Sequence, residues 1–167
     1  DLDVTGHSLG GHLAMAFTRL FPSFGAQALA VNGLGFKLDS TNVDTLFAAL
    51  GGGNGFNAGN IQNIYGIAGH EFAAMNNLLL QQPGGYDGIF IESGGLDTRL
   101  GHSGEQMTDS LAVYAAYARV APHLTVSDIT AILNASANRN ADSLERALDN
   151  LRTIIQGPTV PGTVPDN

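Results

Sequence analysis

The stretch TGHSLGGHLA, residues 5–14, decides the fold because it places a lone serine among glycines. Ser8 lies between Gly6 and Gly10 in the pattern G-x-S-x-G, which also occurs by chance in unrelated chains. Apolar and polar residues alternate before it, as in a strand, and apolar residues recur at helical spacing after it until Pro22. A strand, a sharp turn and a helix in this order are typical of a nucleophile elbow. We therefore predict that Ser8 has a strained backbone at the apex of the turn, with Gly6 and Gly10 making room for it.

Composition excludes several classes of function. The chain has 167 residues, enough for one domain, of which 44% are hydrophobic and 13% are charged. Its formal net charge of −8 argues against nucleic acid or an anionic membrane surface as the main partner. The absence of cysteine excludes a disulfide framework, a thiolate metal site and a cysteine nucleophile. We expect no transmembrane segment, because no apolar run approaches the roughly 20 residues of a membrane span.

Strands alternate with helices along the rest of the chain. Short apolar runs predict further strands at residues 26–32, 61–69 and 87–93. Helices are predicted from pairs of residues that can cap a helix N-terminus. These pairs are Thr41 with Asp44, Ser103 with Gln106, Thr125 with Asp128, and Asp142 with Glu145. One face of the helix that begins after Ser103 is expected to carry Met107, Leu111, Tyr114 and Ala118. This α/β pattern predicts a mainly parallel sheet flanked by helices in residues 1–156, followed by a proline-rich linker or tail at 157–167.

A serine nucleophile needs a base, which is usually a histidine. Ligands of parallel sheets bind beyond the carboxyl ends of the strands, so the base should follow a strand. His102 fits best, because it follows the last predicted strand in the loop SGGLDTRLGHSG and directly precedes a helix. The other histidines are less suited to act as the base because of their positions in the chain. His7 lies in the elbow, His12 on the elbow helix, His70 at a strand end and His123 in a loop.

The base is held by a carboxylate, and in the order serine, acid, histidine this residue falls between Ser8 and His102. Glu71 follows the strand predicted at 61–69, so it lies at the carboxyl end of a neighbouring strand. Asp97 shares the loop of His102 and is the runner-up acid. Asp87 is predicted to precede its strand and hence to lie at the wrong end of the sheet.

Three segments resemble the lipase branch of the α/β-hydrolase superfamily. GHSLGGHLA is similar to the elbow of those lipases, and GHEF, residues 69–72, lies where the fungal-type lipases carry a G-x-D segment. GHSGEQMTDSLAVYAAYA resembles the histidine segment of lipase-like domains in large bacterial RTX-type secreted proteins. Over residues 1 to about 120, the resemblance implies the carboxyl-terminal portion of an α/β-hydrolase fold and Glu71 in place of the commoner aspartate. It also implies ester hydrolysis of lipids, secretion, and calcium-binding repeats elsewhere in the parent protein.

We expect a serine ester hydrolase of lipase or phospholipase type. Ser8 attacks the carbonyl, His102 takes its proton, Glu71 orients the imidazole, and the backbone N–H of Leu9 supplies half of the oxyanion hole. This chemistry needs no metal and no cofactor. One alternative is a noncatalytic binding or structural module of a large secreted bacterial protein that retains the elbow as a relic. Another is a serine hydrolase that acts on a peptide or a polyester.

The amino-terminal strand carries a further expectation. Residue 1 opens directly on the elbow strand, whereas earlier strands border the elbow strand in the fold that this chain resembles. We therefore expect residues 1–6 to expose an unpaired strand edge that favours self-association or pairing with an upstream part of the domain. Low esterase activity of this chain alone is also expected, because those earlier strands carry the second oxyanion donor.

Overall fold

The computed structural model describes residues 2–37, 42–52, 56–67, 74–92, 102 and 104–137, and the single positions 144, 148, 153 and 157. Its strands are β1 (Asp3–His7), β2 (Gln27–Val31), β3 (Phe36–Lys37), β4 (Ile61–Gly66), β5 (Leu80–Gln81) and β6 (Gly85–Ile89). Its helices are α1 (Leu9–Leu20), α2 (Val43–Ala49), α3 (Gly104–Val120) and α4 (Val126–Ser136). Leu144, Leu148 and Thr153 are also helical, in the segment where the last helix was predicted.

Four strands form one sheet in the order β1-β2-β4-β6. β1 pairs with β2 in parallel, with Thr5 opposite Leu29, and β2 pairs with β4 in parallel, with Leu29 opposite Gln62. The predicted α/β class with a mainly parallel sheet is therefore confirmed. The short antiparallel pair of β3 and β5 was not predicted, because two-residue strands leave no periodic signal.

β1 is the terminal strand of the four-stranded sheet, and among the described residues only β2 is its neighbour. Within the described residues, β1 is therefore an edge strand. The backbone N–H and C=O groups on the outer side of an edge strand can pair with another strand.

The chain divides into two compact units, one formed by residues 1–65 and 71–88 and the other by residues 66–70 and 89–167. The first unit has a core of aliphatic and aromatic side chains, including Met15, Ala30, Phe36, Phe47 and Ile61. In the second unit, α3 and α4 bury apolar side chains that include Met107, Val113, Ile129 and Leu133.

A tyrosine ties the helices of the second unit to the segment that follows β6. The backbone N–H of Phe90 donates to the hydroxyl of Tyr114 over 2.9 Å, and that hydroxyl lies 2.6 Å from Oγ1 of Thr130. Ala118 was expected on the same face of α3 as Tyr114, but it is exposed. The buried face instead includes Ser110 and Val113, so it is rotated from the predicted one.

α1 buries a different face from the one that its large apolar residues indicate. Gly11, Ala14, Met15 and Thr18 are buried, whereas Leu13 is 60% exposed. The reason is that α1 packs closely on β1 and β2, and the small residues Gly11 and Ala14 allow that approach.

Two local predictions were wrong in detail. Asn42 caps α2, because its Oδ1 accepts from the N–H of Thr45 at 2.9 Å; Thr41, the expected cap, lies outside the described residues. The last strand spans Gly85–Ile89 rather than residues 87–93, so Asp87 lies in its middle and does not precede it. Within the described residues, no helix has the length and apolar character needed to cross a membrane.

Candidate active site at the carboxyl end of β1

Ser8 forms the whole connection between β1 and α1. Its backbone has φ 56° and ψ −120°, a conformation that residues with a side chain rarely adopt. The N–H of Ser8 donates to the carbonyl of Val31 at 3.0 Å, and its carbonyl accepts from the N–H of His12 at 3.1 Å. The turn is therefore held by β2 on one side and by the first turn of α1 on the other.

The glycines of the elbow have different roles from those predicted. A Cβ on Gly6 would lie 2.5 Å from the carbonyl oxygen of Gly10, so no larger residue fits there. A Cβ on Gly11 would lie 2.9 Å from the carbonyl oxygen of Gly6 and 3.0 Å from the Cα of Gly33. A Cβ on Gly10 would meet nothing within 4 Å. The absence of a side chain at Gly6 and Gly11 allows β1 and α1 to approach each other closely. The expectation for Gly10 was wrong, because a side chain at that position would point away from this contact.

Leu9 is the first residue of α1. The first N–H groups of a helix have no acceptor within the helix, and the helix dipole places partial positive charge there. The backbone N–H of Leu9 therefore has the chemistry that an oxyanion donor requires, directly beside Ser8.

The loop after β2 is anchored beside the elbow by a buried amide that the sequence did not single out. Asn63 on β4 is fully buried; its Oδ1 accepts from the N–H of Gly33 at 3.0 Å, and its Nδ2 donates to the Gly33 carbonyl at 2.8 Å. Because Gly11 contacts Gly33, this amide helps to fix the surroundings of the elbow. An asparagine inside an apolar strand is the signal that could have found it.

His102 is half-buried and lies two residues before Gly104, where α3 begins. Its place directly before a helix agrees with the prediction. Ser8 belongs to the first compact unit and His102 to the second.

Two of the other histidines behave as expected. His12 packs, since its ring lies 4.1 Å from the ring of Phe36 and its Nδ1 lies 2.9 Å from the carbonyl oxygen of Leu34. His123 is exposed in the turn between α3 and α4. His7 is exposed at the end of β1, and His70 lies outside the described residues.

The two acids predicted for the triad, Glu71 and Asp97, lie outside the described residues. Asp87 remains an unsuitable acid for a corrected reason. It is exposed in mid-strand, where its Oδ2 accepts from Nε2 of Gln62 at 2.7 Å. Ligands bind beyond the carboxyl ends of parallel strands, whereas Asp87 lies in the middle of β6.

The structure adds one carboxylate that the sequence did not single out. Glu92 follows β6, is 8% exposed, and its Oε1 accepts from the N–H of Leu144 at 3.0 Å. It lies in the same compact unit as His102 and also precedes it in the chain. A glutamate directly after the apolar run IFI was the available signal, since buried carboxylates are uncommon.

Comparison with known proteins adds no relative to these observations. No family model matches the chain, and no curated protein matches it.

Proposed function

We propose that this chain is a serine ester hydrolase of lipase type with Ser8 as the nucleophile. The observation that carries the proposal is the backbone of Ser8, at φ 56° and ψ −120° between a parallel strand and a helix. Such a conformation costs about 1–3 kcal/mol and persists where the surrounding structure imposes it, which is common at active sites. A turn of this kind presents its side chain beyond the strand end, where nucleophilic attack takes place.

In the proposed mechanism, Ser8 Oγ attacks the ester carbonyl while His102 accepts its proton and later returns it to the leaving alcohol. The N–H of Leu9 donates to the oxyanion of the tetrahedral intermediate. Glu71 orients the imidazole, and Asp97 is the runner-up for that role. The resemblance to lipase-like domains of secreted bacterial proteins supports a lipid ester as the substrate and secretion of the parent protein.

Labelling by a fluorophosphonate probe tests the nucleophile. We expect the wild-type chain to be labelled at Ser8 and the Ser8→Ala variant to lose all labelling, because the probe bonds only to an activated serine. Ser23→Ala is the matched control, since Ser23 is exposed in the turn after α1 and should not react. Equal labelling of wild type and Ser8→Ala would contradict the proposal, and no labelling of a folded wild-type chain would favour a noncatalytic module.

The outer edge of β1 supports a second part of the proposal, which is association through this strand. In the described part of the chain, β1 pairs on one side with β2, and its other side offers backbone groups to a further strand. Size-exclusion chromatography over a dilution series should show a concentration-dependent larger species. A monomer at every concentration would contradict self-association.

A further inference from the structure

An open pocket lies at the opposite end of α1 from Ser8. Its volume is about 770 Å³, and its lining includes Arg19, Val43, Asp44, Ala48, Phe56 and Pro83. Arg19 is in the last turn of α1, and Pro83 lies two residues before Gly85, where β6 begins. Since α1 runs back along the sheet from the carboxyl end of β1, this pocket lies at the amino ends of the strands.

Arg19 is a buried cation with an incomplete set of partners. It is 5% exposed, and its guanidinium lies 4.0 Å from the ring centre of Phe56 and 5.4 Å from that of Phe47. Its Nη2 donates to Oδ1 of Asp44, whose side chain is 72% exposed. Its Nε is buried and finds no hydrogen-bond acceptor among the residues that the structure describes.

A buried donor without an acceptor is unfavourable, because it has given up its hydrogen bond to water, so the Nε of Arg19 calls for an explanation. The Nε and Nη2 groups of a guanidinium form a fork that matches the two oxygens of one carboxylate. Asp44 approaches only one arm of that fork, and with one oxygen. A carboxylate that bridged both arms would satisfy the buried donor and would displace Asp44 toward the solvent.

The remaining lining indicates what such a carboxylate carries. Val43, Ala48, Phe56 and Pro83 contribute apolar surface to the pocket, and Asn42, Thr45 and Gln82 contribute polar groups. An inorganic anion would leave the apolar surface in contact with water, whereas a short alkyl chain would cover it. The apolar part of the lining therefore favours a carboxylate with a short hydrocarbon tail.

We propose that this pocket binds an organic carboxylate, held by Nε and Nη2 of Arg19 in competition with Asp44, with its tail along the apolar wall. The site is independent of the proposed ester hydrolysis, because it uses none of the residues of the elbow. Without ligand, the carboxylate of Asp44 accepts from Nη2 of Arg19, and the ligand must displace it.

Titration of the intact chain with butyrate and hexanoate, with inorganic phosphate as the comparison anion, tests the proposal. The readouts are calorimetric affinity and the NMR signal of the Arg19 Nε–H, which should shift on binding because it gains an acceptor. Asp44→Asn should tighten carboxylate binding about tenfold, since a neutral amide competes for the guanidinium more weakly than a carboxylate does. Asp3→Asn is the matched control, because it removes one exposed carboxylate far along the chain from the pocket and should change nothing.

Arg19→Lys should weaken binding at least about tenfold, because lysine keeps the charge but loses the fork. Asp44→Asn keeps the test informative if Arg19→Lys does not fold. Three results would overturn the proposal: no carboxylate binding to wild type or Asp44→Asn, equal affinity in Asp44→Asn and wild type, or phosphate binding as tightly as hexanoate. Loss of labelling at Ser8 has no bearing on these outcomes, so the two proposals fail separately.

Discussion

The helices α1 and α4 both begin after a hydroxyl residue, but they use it differently. At α4, Thr125 Oγ1 accepts from the N–H of Asp128 at 3.2 Å, and Asp128 Oδ2 accepts from the N–H of Thr125 at 2.9 Å. At α1, Ser8 has a positive φ and its side chain makes no capping hydrogen bond. The threonine stabilises its helix, as predicted for a capping box. The serine does not serve that purpose, so its hydroxyl at a strained turn calls for a functional explanation.

The two helix starts also differ in what holds them. The α4 cap is local, made within four consecutive residues, and it is exposed. The elbow depends on partners distant in sequence, since Val31 accepts from the N–H of Ser8 and Gly11 contacts Gly33. Strain at Ser8 is therefore sustained by the sheet, whereas the α4 cap needs only its own sequence.

The largest expected effect concerns the carboxylate that completes the chemistry of Ser8. Loss of the orienting acid of a working triad lowers turnover by about 10⁴-fold, so Glu71→Gln should do so and Asp97→Asn should not. Glu92→Gln should have a small effect, because glutamine keeps an acceptor for the N–H of Leu144. The measurement is the rate of nitrophenyl ester hydrolysis, together with the rate of fluorophosphonate labelling at Ser8.

A different ranking would change the assignment of the acid. A loss of about 10⁴-fold in Asp97→Asn alone would move the acid into the loop of His102, and the same loss in Glu92→Gln alone would assign it to Glu92. Small effects in all three variants, with full labelling of wild type, would contradict a triad.

The second effect concerns the packing that sustains the elbow. Gly6→Ala should lower the free energy of unfolding by about 3 kcal/mol, because the new methyl overlaps the backbone of Gly10 and the turn cannot yield without breaking its contact with β2. Gly10→Ala is the matched control and should be neutral or slightly stabilising, since its Cβ meets open space in a helix. Chemical denaturation measures both. Equal destabilisation by the two variants would show that the elbow is not packed as described.

The third effect compares the two hydroxyl residues directly. Thr125→Ala should cost about 1 kcal/mol of unfolding free energy, the usual value of a lost cap. Ser8→Ala should cost less than Thr125→Ala, because the Ser8 side chain makes no capping bond, and Ser8→Gly should gain roughly 1 kcal/mol by relieving the positive φ. Denaturation curves of the three variants decide this. A cost for Ser8→Ala as large as that for Thr125→Ala would mean that the serine is structural.

The smallest effect is the pH dependence of the α4 cap. The hydrogen bonds from Thr125 hold the pKa of Asp128 below its ordinary value, with a further contribution from the charge of His123. A lowered folded-state pKa contributes stability that is present above the unfolded pKa of about 4 and is lost as the pH falls through the folded value. Stability should therefore decline more steeply below about pH 4 in wild type than in Asp128→Asn. Parallel acid titrations of the unfolding midpoint measure this difference, and identical curves would contradict it.

Prediction from the sequence succeeded where the signal was local. The elbow, the capping box at Thr125 and the α/β alternation each depend on residue types at short spacing, so neighbouring residues determine them. The faces of α1 and the role of Gly10 were misassigned because hydrophobicity alone does not reveal how closely a helix approaches a sheet. Arg19 was overlooked because a charged residue on a helix is ordinarily exposed.

The sequence by itself determined that a serine lies at a strand–helix turn and that this turn lies at the carboxyl end of a parallel strand. Both follow from the backbone preferences of nearby residues. Tertiary structure alone decided which glycines permit the turn, which amide anchors the loop beside it, and which arginine is buried with an unsatisfied Nε. Several of these features join residues far apart in the chain, such as Gly11 with Gly33 and Gly33 with Asn63. Contacts of that separation form only when the chain packs, because burial brings together residues whose local sequences carry no sign of each other.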